Sequence, residues 1–161
     1  MKVATLAALL VLAFSSAPVI AVGTAPIPQA ITTSSATDAA LKQAQDTNTP
    51  EAWLSAANLA HSYATEIALL SEHYFRVYMY LKEHEQTTMV DYLKQAAAYE
   101  KTHNEYVAKR DAAYLTAAKL YLAKGDKLSA LKWAAHLLNL TDKKINSEAE
   151  AIVKQVIEYK P

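Results

Sequence analysis

The chain has no cysteine, two glycines and five prolines in 161 residues. Without cysteine it can form no disulfide, carry no acylated lipoprotein cysteine and offer no Cys-x-x-Cys-His site for covalent haem, so its stability must come from packing. With so few glycines there is no Gly-rich phosphate loop and no Gly-x-Ser-x-Gly nucleophile elbow. Between Glu51 and Lys160 there is no proline and a single glycine, Gly125. Strands need turns, and turns need residues that fix or invert φ. A stretch with one such residue therefore excludes a β-sheet fold and leaves long helices joined by short polar connectors. Charge of one sign is missing too. Sixteen basic side chains face 16 acidic ones without blocks of either, so no phosphate-tracking surface and no polybasic membrane patch is present, and nucleic acid is not an expected partner.

What is there begins with an address. Lys2 precedes an apolar run from Val3 to Phe14, followed by Ser15, Ser16, Pro18 and small residues at Ala17, Ala21 and Gly23. This is the layout of a secretory signal peptide over residues 1–23, with the mature chain beginning between Val22 and Pro26. The run is shorter than the ~20 residues that span a bilayer. An uncleaved anchor stretching from Val3 to Val22 is the competing reading; after cleavage no stable membrane insertion is expected. Residues 24–49 are rich in Thr, Ser, Ala and Pro and poor in bulky side chains, which predicts a flexible leader. Residues 50–161 suffice for one domain with a core.

Thr49-Pro50-Glu51 opens a first helix with an N-cap, proline at the first helical position and an acid in the first turn. Stepping around 3.6 residues per turn, Ala52, Ala56, Leu59, Ala60, Tyr63, Ile67, Leu70, Tyr74, Val77, Tyr78 and Leu81 form one uncharged stripe, the predicted core face. Leu69, Phe75, Met79 and Tyr80 lie away from it, so this helix is expected to be central or part of an interface. Thr88 with Asp91 resembles a capping box opening a second helix that runs to Lys124. Gly125 is the expected left-handed stop, and Asp126 the cap of a third helix, about 127–140, with Leu128, Leu131, Ala134, Ala135 and Leu138 inward. Asn146 or Ser147 is expected to cap a fourth, which buries Ala149, Ile152, Val153, Val156 and Ile157. The predicted fold is all-α, with four principal helices.

Within residues 111–144, Tyr114, Ala117, Ala118, Tyr121, the Gly125-Asp126 turn, Ala130 and Leu140 fall at spacings that resemble one tetratricopeptide unit of 34 residues. Ala134, Leu137 and Asp142 depart from that pattern, standing where the family has an aromatic, an alanine and a proline. The resemblance implies a helical hairpin closed by small residues, here packed against the longer hairpin. It also implies an interaction role.

The sharpest pattern is a tyrosine series at 92, 99, 106, 114 and 121, with steps of 7, 7, 8 and 7. On one continuous helix these rings stay within an arc of ~80°, with His103 and Arg110 among them. Tyr99, His103, Tyr106, Arg110 and Tyr114 are therefore candidate binding residues, since tyrosine offers large area at low entropic cost and arginine stacks on ring faces. The competing reading is a helix-packing stripe with Arg110 snorkelling to water. A second rival is a break at Thr102-His103-Asn104-Glu105, which has capping-box spacing and would split the ladder. Glu100 and His103 make a Glu-x-x-His pair, but bundle di-iron sites need two such pairs and two further glutamates. His61, His73, His84 and His136 lack matching partners, so neither metal nor cofactor is expected. Asn139-Leu140-Thr141 is a sequon, meaningful only in a eukaryotic host.

No constellation of residues reaches an enzymatic reading. The expected role is non-enzymatic binding of a protein or peptide, in the periplasm or outside the cell, with a homo-oligomer compatible. The alternative is a helical bundle that holds a small ligand, haem or metal along the Tyr/His/Arg face.

Overall fold

The structure, a computed structural model, describes residues 32–84, 89–140 and 142–158. The signal peptide, its alternative as an anchor, the first part of the leader and the Thr88 cap lie outside them. The described residues form five helices: α1 (Ser34–Thr47), α2 (Pro50–Glu83), α3 (Met89–Ala123), α4 (Lys127–His136) and α5 (Lys143–Ile157). The fold is all-α, as the turn-poor sequence dictates.

Helix α1 corrects the expectation of a flexible leader for residues 34–47. Thr33 caps it by accepting the Ala36 N–H at 3.2 Å, and Asn48 ends it at φ 47° with its N–H on the Ala44 carbonyl. Its sequence has one bulky apolar residue, Leu41, which is why composition pointed to disorder. It docks through small residues instead. Thr37 and Ala44 are fully buried, so the helix sits close on α2 without needing large side chains. The Thr32 N–H donates to Glu66 Oε2 at 3.0 Å and fixes the point at which the chain enters.

Helix α2 starts where expected, with Thr49 accepting the Ala52 N–H at 3.3 Å and Pro50 in the first turn. Its predicted stripe is its buried face at Ala56, Ala60, Tyr63, Ile67, Leu70, Tyr74 and Leu81. Helix α3 is unbroken. The Thr102 hydroxyl, which a break would have turned into a cap, instead donates back to the Ala98 carbonyl at 3.1 Å. The two long helices run antiparallel, shown by contacts from Glu51 with Tyr121 at one end, through Tyr63 with Tyr106, to Tyr74 with Tyr92 near the other.

Gly125 stops the α3 turn at φ +79°, the backbone conformation that only glycine adopts without strain. Asp126 then accepts the Ser129 N–H at 3.0 Å and caps α4. Two expectations for the last helices hold only in part: Ala134, Ala149 and Ile152 are buried as expected, while other positions turn out differently. Helix α4 ends at His136, and it turns Ala130, Ala134 and the fully buried Leu137 inward while Leu128 is 79% exposed and Ala135 also faces out. Both sets satisfy i, i+3, i+4 spacing. The small pair Ala130 and Ala134 wins because it lets α4 approach α3 closely enough for Trp133 to stack on Tyr114, centroids 5.0 Å apart at 9°. Helix α5 is capped by Asp142, four residues before Asn146, whose side chain instead accepts the Asn139 N–H. Ile145, Ala149 and Ile152 form its buried face, and Ile157 is exposed.

The long hairpin is thus the frame. Helix α1 contacts it on one side, where Asp38 meets Tyr106 and Lys109. Helices α4 and α5 contact α3 on another, through Trp133 on Tyr114 and Lys119 with Glu148. These contacts gather on the half of the hairpin that holds both chain ends of the frame. Among the described residues, the half nearer the 84–89 connection is built from α2 and α3 alone.

Candidate functional site

Each sequence-selected residue lies on α3, whose unbroken course brings all five onto one face, and that face is the seam with α2. Tyr106 is 4% exposed, its ring edge-on to Tyr63 at 4.6 Å and its hydroxyl donating to Asp38 Oδ2 at 3.0 Å. Tyr114 is buried between Trp133, His136 and Asn58, and donates to Asn58 Oδ1 at 2.9 Å. Tyr99 is half-buried, packed on Tyr74 at 5.3 Å. His103 donates from Nδ1 to the Ala64 carbonyl at 2.9 Å, which fixes its tautomer, since a carbonyl only accepts. Arg110 gives its Nε to the buried Asp111 carboxylate at 2.7 Å and its Nη1 to His61 Nδ1 at 3.4 Å. The five are together, and Tyr99, Tyr106 and Tyr114 pack against rings of α2 and α4. The tyrosines of the ladder pack the seam of the frame, and His103 also lines an open groove between α2 and α3.

Electrostatics report the same burial. Desolvation pushes the hydroxyls of Tyr74, Tyr106, Tyr114 and Tyr121 above the ordinary tyrosine value of 10.0, with Asp38 adding to the effect at Tyr106. Burial opposes the charge on Lys109, but hydrogen bonds to Glu105 and Asp38 outweigh it and hold that ammonium above its ordinary 10.5. All these groups bind protons more tightly folded than unfolded. Their stabilisation is complete below the unfolded values and is lost as pH rises through and beyond them. The urea midpoint is expected to stay level to pH about 9 and to fall beyond pH about 10, less steeply in Tyr106→Phe. A midpoint unchanged at pH about 11 would contradict the seam assignment.

What the sequence reading undervalued is the bare half of the hairpin. Between α2 and α3 there runs a groove of about 370 Å³, with Ala68, Ala96 and Ala97 among its lining and Phe75 and Leu93 beside them. Ser71 donates its hydroxyl to the Ala96 carbonyl at 2.9 Å, tying the two helices together there. Phe75 is 47% exposed and Leu93 40%, and Met79 and Val90 are exposed as well. Glu72 and Glu100 lie along the groove, Glu72 held by Arg76. Leu69 and Tyr80 are exposed on α2 too. The signal for this surface was the second apolar side of α2, since Leu69, Phe75, Met79 and Tyr80 had no place on the core stripe. Val90 and Leu93 gave none, because on a helix otherwise rich in Ala, Lys and Gln they read as ordinary periodic residues.

Among the described residues no three His, Asp or Glu side chains gather closely enough to hold a metal ion, and no helix is long and apolar enough to cross a membrane. The Glu100–His103 pair stands alone there. Comparison of the chain with protein-family models, curated proteins and solved structures finds no match.

Proposed function

We propose that the chain is an exported, non-enzymatic binding protein, working in the periplasm or outside the cell, whose α2–α3 hairpin carries a docking surface for a protein partner. The observation that supports this is the bare half of the hairpin, where Phe75, Met79, Val90 and Leu93 stay exposed. Surfaces of this kind, apolar at the centre and rimmed by charge, mark sites of association. The apolar N-terminal run followed by small residues supports export. The tetratricopeptide-like spacing around Gly125 supports a role in interaction, by analogy of architecture. In this reading α1, α4 and α5 stiffen one half of the frame so that the other half can be presented.

The test is site-specific photo-crosslinking in the exported fraction, with the reactive side chain at Phe75 or, as control, at the exposed Lys154 of α5. Protein adducts at Phe75 and none at Lys154 are expected. Equal yields at both positions, or none at Phe75, would remove the docking surface.

A further inference from the structure

The covered and the bare halves of the hairpin present the same helix faces. Eighteen residues are about five turns of an α-helix, so residues that far apart point the same way. On α3, Leu93, Ala97 and Glu100 in the groove repeat the directions of Asp111, Leu115 and Ala118. Leu115 and Ala118 belong to the core formed with Ala130, Ala134, Leu137, Ile145, Ala149 and Ile152 of α4, its C-terminal turn and α5. On α2, Phe75 repeats the direction of Ala57, which is fully buried in that same core. The layer made by α4 and α5 therefore covers one half of this side of the frame and stops, leaving a step about one helix-packing distance, 8–10 Å, high.

The outer side of that layer is itself apolar in part. Leu128 is 79% exposed and Ala135 is exposed, with Leu131 half-buried between them. This is the second apolar stripe of α4, and among the described residues it belongs to neither hydrophobic core cluster. Helix α4 contains no acidic residue, and Lys132 stands beside that stripe, whereas Glu72 and Glu100 flank the groove. Apolar surface and opposite charge thus occur on the two halves of one stepped molecule.

We infer that a second copy of this chain fills the groove, with the outer face of its α4 on Phe75 and Leu93 and its Lys132 near Glu100. A two-fold axis between antiparallel frames lets each copy lay its α4–α5 layer into the bare half of the other. Each layer is then sandwiched between two hairpins, and the assembly closes as a dimer, because both grooves are occupied. The occupant is favoured over an unrelated partner by three facts about the same chain: the repeated face, the second apolar stripe on α4 and the charge complementarity between them. This inference rests on the docking reading above and names its partner.

Sedimentation velocity of the purified protein over a range of concentrations is the test. A mass of two chains is expected. Leu93→Glu and Leu128→Glu, both at exposed positions, should each return the single-chain mass while leaving the melting temperature near that of the parent. Glu100→Lys and Lys132→Glu should each weaken the dimer about tenfold, and the double swap should restore it. A single-chain mass at every concentration, a dimer indifferent to Leu128→Glu, or open-ended oligomers would each overturn the inference. Single-chain mass together with Phe75 adducts to another protein removes the second copy and leaves the docking surface standing; single-chain mass with no adducts removes both.

Discussion

Tyr106→Ala is expected to destabilise the protein by about 3–5 kcal/mol, the range for truncating a large buried aromatic. The ring is 4% exposed and closes the second core cluster against Tyr63, with the Lys109 ammonium 4.0 Å from its centroid. Its hydroxyl is also one of the few polar ties between α1 and the frame. Truncation therefore removes core volume and a helix anchor together. Tyr106→Phe keeps the ring and loses only the bond to Asp38, so it should cost about 1 kcal/mol. Urea unfolding separates the two. A loss below about 1 kcal/mol for Tyr106→Ala would mean that the ring is solvated and that the ladder is a surface after all.

Arg110→Ala should cost about 3 kcal/mol, a large effect for an arginine and one that arises from what it leaves behind. The Arg110 side chain is 19% exposed and that of Asp111 is 8%, so removing the guanidinium strands a carboxylate away from water. The double variant Arg110→Ala/Asp111→Asn should recover most of the loss, because a neutral amide is cheaper to bury than an unpaired charge. Equal losses in the single and double variants would show that Arg110 acts by packing its stem and not by neutralising Asp111.

The long elements were legible because each had a chemical mark: Thr49-Pro50 at one start, Gly125-Asp126 at one turn, and an uncharged stripe from Ala56 to Leu81. The tyrosine ladder was legible as a geometric object, and its continuity follows from the lack of any strong helix stopper between Tyr99 and Ala123. Its meaning was not, because spacing shows that Tyr99, Tyr106 and Tyr114 share a face and is silent about what faces them. Helix α1 was hidden by its own economy. A helix that docks through Thr37 and Ala44 carries no hydrophobic pattern to find. Helix α4 offered two equivalent stripes, and the choice between them lay in Trp133 and Tyr114, residues of different helices. The docking surface was half visible, in the misplaced apolar residues of α2, since Phe75 and Leu93 become neighbours along one groove only when the hairpin closes.

The seam between α2 and α3 stabilises and the bare half of the hairpin binds, and one paired measurement distinguishes these two roles. Arg110→Ala and Leu93→Glu are each assayed for melting temperature and for adduct yield from a photo-reactive side chain at Phe75. A lowered melting temperature is expected for Arg110→Ala with adducts retained below that temperature, and an unchanged melting temperature for Leu93→Glu with adducts lost. The reverse pattern, in which Arg110→Ala melts like the parent and abolishes adducts while Leu93→Glu unfolds the chain, would contradict this division of roles.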